Sequence, residues 1–136
     1  MVDVVTCILM DDTGKILILK RSKKVRTYKG LWSGISGYVE KGEVPIKTAI
    51  KEIKEETGTS ESEISLIKEM DSVIFNDFHD DKVYSWRVFP FLFKVEKKDK
   101  LIIDWEHSEY CWIFPSEINK FEAVPRLKEI VLGMFQ

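Results

Sequence analysis

One stretch, Gly37 to Thr59, GYVEKGEVPIKTAIKEIKEETGT, constrains this chain more than any other. Pro45 and Gly58 bracket a helix within it. Proline suits a first turn, where a missing N–H costs nothing, and glycine suits the left-handed residue that ends a helix. Between them Ile46, Ala49, Ile50, Ile53 and Thr57 recur at helical spacing and form one stripe. Glu52 and Glu56 fall on one flank of that stripe, and Glu55 lies just beyond. The helix must dock by its stripe while carrying three acids in its last turns.

Local energetics oppose this placement. Glu52 and Glu56 are like charges at i, i+4, costing roughly 0.2–0.5 kcal/mol. Acids near a helix C-terminus also oppose the macrodipole, by roughly 0.3–1 kcal/mol each when exposed. A sequence selected for stability alone would place lysine here. A local rule broken without visible compensation marks a functional site. A cation would supply that compensation, and Mg²⁺, which takes oxygen ligands and keeps several waters, suits a few carboxylates plus substrate phosphates. The competing explanation is a solvated acidic helix end in a chain that is 32% charged.

The rest of the chain supplies mostly strands. Val2 to Met10 is β-rich, Asp11 to Gly14 reads as a turn, and Lys15 to Arg21 as the next strand. Ile16 and Ile18 alternate with Leu17 and Leu19, so both faces of that strand are expected to be buried. Residues 22–30 form a polar basic loop. It is either a solvated connection or a phosphate-binding segment using Arg21, Arg26 or Lys29. Leu31 to Val39 reads as a short strand pair, with Gly34 and Gly37 marking a bulge or close backbone approach. Ile64 to Phe75 and Lys82 to Val95 read as two strands joined by NDFHDD, with His79 solvated in the connection. Pro90 argues for an edge position or a bulge. Tyr84 and Trp86 are core residues or stack on a base. Leu101 to Phe114 is strand-like at both ends and interrupted by Glu106, His107, Ser108, Glu109 and Tyr110. A short helix starts near Pro115, and a last helix runs from Val124 to Leu132.

A chain of 136 residues, 44% hydrophobic, is expected to form a single domain over residues 1–136. A net charge of −2 gives no basic field to recruit nucleic acid. The apolar runs are shorter than the ~20 residues that span a bilayer. No charged-then-apolar leader pattern opens the sequence. Cys7 and Cys111 lie in apolar runs and are expected to be reduced core residues, as in a cytoplasmic protein. A homodimer is left open.

The spacing of Gly37, Glu43, Glu52, Ile53, Glu55, Glu56 and Gly58 resembles the Nudix box of the Nudix hydrolases. Two positions depart: Lys51 stands for the family's arginine, and Thr59 for its last aliphatic residue. Arginine holds a carboxylate with a planar fork, whereas lysine offers a point charge. Weaker preorganisation is therefore expected here, with activity retained. Glu43 is expected to be structural, facing the helix N-terminus and pairing with Lys51.

The resemblance implies an α/β fold, a Nudix-type α/β/α sandwich with a mixed β-sheet. It also implies a metal-dependent hydrolase that splits the pyrophosphate linkage of a nucleoside di- or triphosphate derivative, with Mg²⁺ or Mn²⁺ as cofactor. Gly37 (through its carbonyl, or that of Ser36), Glu52, Glu55, Glu56 and Glu106 are the candidate metal ligands. Glu52, Glu55 and Glu106 are the candidate bases. Glu106 precedes a late strand ending in Trp112, where many members place a fourth carboxylate, and His107 and Glu109 compete for that role. The substrate-typing residues downstream of the box match no ADP-ribose, diadenosine-polyphosphate, coenzyme A or NADH pattern: Val73 to Asn76 holds no proline, and Phe75 stands where a tyrosine is usual. A nucleotide di- or triphosphate is the expected substrate. A nucleotide-sensing module without catalysis is the rival function, although such modules usually lose box glutamates. A Nudix-fold isoprenoid isomerase is disfavoured because neither cysteine is near the box.

Overall fold

The computed structural model describes residues 1–136, the side chain of Lys100 excepted. Eight strands and two helices follow one another: β1 (Val2–Met10), β2 (Ile16–Arg21), β3 (Trp32–Ser33), β4 (Ile35–Tyr38), α1 (Pro45–Thr57), β5 (Ile64–Glu69), β6 (Val73–His79), β7 (Lys82–Val95), β8 (His107–Ile113) and α2 (Leu127–Met134). Short 3₁₀ turns at Glu61–Glu63, Lys98–Lys100 and Pro115–Lys120 punctuate the connections.

All eight strands join one mixed sheet with the central order β3-β2-β1-β7-β5; β4 pairs with β1, β6 with β7 and β8 with β2. β1 and β7 run parallel along the whole of β1, from Val2↔Trp86 to Met10↔Lys94. Parallel pairs are normally covered on both faces, and the side-chain alternation shows this here. Val5, Cys7, Leu9, Leu17, Leu19, Phe91 and Phe93 pack with Ala49 and Ile53 of α1. Ile8, Ile16, Ile18, Val88 and Leu92 pack on the other face with Leu127, Ile130, Val131 and Met134 of α2. The expected α/β/α sandwich follows from strands with two apolar faces.

Helix α1 begins with Pro45 and stops at Gly58, whose φ of 77° and N–H to Lys54 O (2.9 Å) close the last turn. Gly34 and Gly37 are sites of close approach. A Cβ on Gly34 would stand 2.9 Å from Cys7 O, and one on Gly37 would overlap the Glu52 side chain. Gly37 thus lets α1 seat its acids directly against β4.

Three expectations require correction. Ile64 to Phe75 is not one strand. It breaks between Glu69 and Val73, and β6 continues through Asn76 to His79, turning tightly at Asp80 and Asp81, both with positive φ. That pattern suits a two-residue hairpin. β7 is not an edge strand. Pro90 lies beside Thr6 of β1, while its outer partner switches from β5, ending at Glu69↔Phe91, to β6, starting at Val73↔Val88. The proline sits in that gap, where the ladder asks no N–H of it. Finally, residues 101–106 form no strand; β8 begins only at His107.

Candidate active site

The three acids of α1 differ sharply in environment. Glu55 is exposed and Glu52 is half-buried, whereas Glu56 is 1% exposed, nearly as buried as Ile53. Burial pushes the Glu56 carboxyl well above the usual carboxylate range, and the neighbouring Glu52 and Glu106 carboxylates push the same way. Burial also raises Glu52 and Glu106. With both carboxyls ionised, neither Glu56 oxygen has a hydrogen-bond partner. A proton on Glu56 can be donated to Glu52, which favours the acid form of one and the anion of the other.

The opposite side comes from the turn before β8. Arg21 of β2 pairs with His107 across a register shift that follows Lys20, and such a bulge re-aims side chains at the end of a strand. Ser22 N–H donates to Glu106 O at 2.7 Å, fixing the turn. Glu106 then faces one cavity with Glu52 and Glu55. His107 points inward. Its Nδ1 lies 3.1 Å from Asp104 Oδ1, and its Nε2 lies 3.6 Å from Glu56 Oε1 without a hydrogen-bond partner. Burial pushes the His107 ring down in spite of Asp104. In the tautomer whose Nδ1–H donates to Asp104, Nε2 turns a lone pair towards the Glu56 carboxyl. With Glu56 ionised, that tautomer sets acceptor against acceptor across the gap, an arrangement that calls for a proton or a cation.

The cavity in front of these acids has a volume of about 440 Å³. Glu52, Glu55 and Glu106 line it, with Ser36 and Gly37 of β4. Arg21, Lys24 and Arg26 line it as well. Phe75, Trp86, Val88 and Tyr28 line its apolar part, and Trp105, 62% exposed, lines it as well. Of the expected phosphate contacts, Arg21 and Arg26 line the cavity; Lys29 is exposed and outside the lining, and Lys24 is there instead. Arg21 is also tied to its own loop, donating from Nε to Thr27 O at 2.9 Å. Glu109 is exposed, lies 3.5 Å from Lys20 and does not line the cavity.

Both departures from the box are accommodated. Lys51 Nζ donates to Glu43 Oε2 at 2.8 Å, and Glu43 also accepts from the Glu40 N–H and the Thr48 hydroxyl. The lysine therefore braces the loop ahead of α1, as expected for Glu43. The buried hydroxyl of Thr59 lies 2.9 Å from Thr57 Oγ1, so a polar group replaces the aliphatic one without being orphaned.

His107 entered the sequence reading only as a competitor of Glu106, while Asp104 and the contact made by His79 escaped it. Asp104 and the inward His107 lie in a stretch that reads as an interrupted strand. His79, expected to be solvated, accepts the Tyr28 N–H and stacks on its ring. Only the polar break inside an apolar run at 104–110 signalled the first two; nothing local signalled His79.

The donor set suits a hard divalent cation. Glu52 and Glu56 offer carboxylate oxygens, and the orphaned Glu56 oxygens are the buried groups that need one. Among the described residues no three His, Cys, Asp or Glu side chains already close around one point. The acids offer a partial ligand set, which matches an ion that keeps waters and takes its remaining ligands from phosphate.

The family model described as NUDIX domain matches residues 2–133. Dihydroneopterin triphosphate diphosphatase of Haemophilus influenzae is 29% identical over 118 residues, which span 81% of this chain and 72% of that protein. An Ap4A hydrolase binary complex from C. elegans shares the fold with a TM-score of 0.80 at 18% identity, over 99% of this chain and 96% of that one. The E. coli dihydroneopterin triphosphate pyrophosphohydrolase does so with a TM-score of 0.79 at 20% identity, over 96% and 92%.

Proposed function

The chain belongs to the Nudix family, and from that premise we propose that it is a pyrophosphohydrolase that cleaves a nucleotide-type triphosphate. The observation that carries this is the presence of acids and cations together in the lining of one cavity. The half-buried Glu52 and Glu106 and the exposed Glu55 line it, together with Arg21, Lys24 and Arg26. A polyphosphate is the ligand whose charge both sets serve, the cations directly and the acids through a divalent ion. The apolar part, with Phe75, Trp86 and Tyr28, suits a flat heteroaromatic ring. The Haemophilus relative makes dihydroneopterin triphosphate the first substrate to try.

Glu52 and Glu56 would hold Mg²⁺ or Mn²⁺, with Glu55, Glu106 and the Gly37 carbonyl as further candidates. When bound, such an ion neutralises phosphate oxygens and acidifies water. The protein's own part is positioning and proton transfer, on which phosphoryl transfer mostly depends. Arg21, Lys24 and Arg26 orient the phosphates. A water oxygen forms the new P–O bond, the bridging P–O bond breaks, and the departing phosphate group takes that electron pair. Glu106 accepts the water's proton; its carboxyl is raised by burial and by the Asp104 and Glu52 charges, which brings it closer to the working pH. Glu52 and Glu55 are the alternatives for that role. The two free cysteines support a cytoplasmic setting. Among the described residues no helix is long and apolar enough to cross a membrane.

The test is a panel of nucleoside triphosphates, dinucleoside polyphosphates, ADP-ribose and dihydroneopterin triphosphate with Mg²⁺, scoring monophosphate and pyrophosphate. Release of both from a triphosphate is the expected result. Tight binding with no turnover on any compound would instead make the chain a nucleotide-sensing module.

A further inference from the structure

The loop at residues 22–30 carries Lys23, Lys24, Arg26 and Lys29, with Arg21 at its root. Like charges crowded on one short loop repel, and an external hold helps to keep Lys24 and Arg26, the two that line the cavity, in place. At its start, Ser22 is bound to the 105–106 turn through Trp105 O and Glu106 O. At its far end the ties converge on Tyr28. The Tyr28 N–H donates to His79 Nε2 at 3.1 Å, and the two rings lie 4.4 Å apart between centroids. The Tyr28 hydroxyl donates to Asp77 Oδ2 at 2.8 Å and accepts from Trp86 Nε1 at 3.2 Å. Tyr28 is 7% exposed and has a φ of 54°. A tyrosine holds that left-handed conformation only where its surroundings over-determine it. Burial and the Asp77 contact push its hydroxyl up to about 12, which keeps it a donor.

The geometry points to Tyr28 as a positioning residue, a latch by which the β6–β7 hairpin holds the basic loop so that Lys24 and Arg26 face the carboxylates. This rests on the reading of the cavity as a phosphate site. His79 and Asp77 make the test clean. Neither lines the cavity, so each reaches a ligand there only through Tyr28. Within the hairpin His79 Nε2 also lies 3.3 Å from Asp80 Oδ2, so the ring is held from its own turn as well as by the Tyr28 N–H.

The experiment compares wild type with His79→Ala and His79→Gln, the latter restoring a side-chain acceptor. Affinity for inorganic tripolyphosphate with Mg²⁺ is measured by calorimetry, and KM and kcat on the preferred triphosphate by kinetics. His79→Ala should weaken tripolyphosphate binding and raise KM by roughly tenfold, the size of one lost hydrogen bond. Its kcat should stay within about twofold of wild type, and His79→Gln should recover most of the loss. If His79→Ala fails to fold, Asp77→Ala puts the same question to the hydroxyl end of the latch. Unchanged tripolyphosphate affinity and KM in a folded variant would overturn the latch while leaving the hydrolase reading intact. So would a loss in kcat alone, or wild type that binds no tripolyphosphate. Weakened tripolyphosphate binding in a protein that turns over no substrate would sustain the latch and remove the hydrolase.

Discussion

Replacing Glu56 by glutamine separates the cost of this site from its use. Glu56 is 1% exposed, both its oxygens lack partners, and His107 Nε2 lies 3.6 Å away, also without a partner. The folded carboxyl is raised well above the usual range by burial first, then by Glu52 and Glu106. A raised carboxyl means that the folded chain binds its proton more tightly than the unfolded chain does. Without metal, stability is therefore greatest below the ordinary carboxylate range and falls as pH rises towards the raised folded value. Glutamine has the same shape, carries no charge, and brings an NH₂ that the Glu52 carboxylate or His107 Nε2 can accept. Removing an unsatisfied buried polar group recovers roughly 1–3 kcal/mol. At about 3 °C per kcal/mol for a chain of this size, the melting temperature should rise by roughly 3–9 °C at pH 8 in chelator. The gain should narrow steadily towards pH 5. Mg²⁺ should raise the wild-type melting temperature by mass action and leave Glu56→Gln nearly unmoved, while hydrolysis by the variant falls by orders of magnitude. Thermal melts at pH 5, 6.5 and 8, with EDTA and with Mg²⁺, read all of this. A variant less stable than wild type at pH 8 in EDTA, or one equally stabilised at pH 5 and pH 8, would refute the charge argument.

Chelation should abolish hydrolysis and added Mg²⁺ or Mn²⁺ restore it; full activity after exhaustive chelation would remove the ion from the reaction. Glu106→Gln should lower kcat far more than nucleotide affinity, whereas Glu109→Gln, on an exposed side chain 3.5 Å from Lys20, should stay near wild type in steady-state assays at saturating Mg²⁺. Lys51→Arg replaces a single contact to Glu43 at 2.8 Å with a forked one. It should give equal or higher turnover with an unchanged metal titration, and a large loss would show the loop to be built around lysine. Gly37→Ala should lose activity and stability together, because its Cβ would overlap the Glu52 side chain; a soluble, fully active variant by melt and assay would contradict that packing.

What the sequence determined is what short-range rules encode. Proline and glycine set both ends of α1, and helical periodicity set the face that meets the sheet. The alternation of Ile16 and Ile18 with Leu17 and Leu19 required a layer on each side, and helices fill both. The charge pattern placed Lys51 with Glu43, which a single turn and helix start bring together. Tertiary structure decided the rest. Glu52, Glu55 and Glu56 read as neighbours on one helix, yet only Glu56 is fully buried, because docking on β4 and the turn before β8 decides which flank loses water. His107 meets Glu56, and His79 meets Tyr28, across separations that no local pattern spans. Lys24 rather than Lys29 reaches the cavity because the path of the loop is set by its ties to Glu106 and to the β6–β7 hairpin. The split between β5 and β6 was likewise hidden, since Pro90 needs a gap in its outer partner and that partner is chosen only when the sheet assembles. A helix face follows from residues a few positions apart. Burial, and with it the protonation of a carboxylate, follows from which distant surfaces meet.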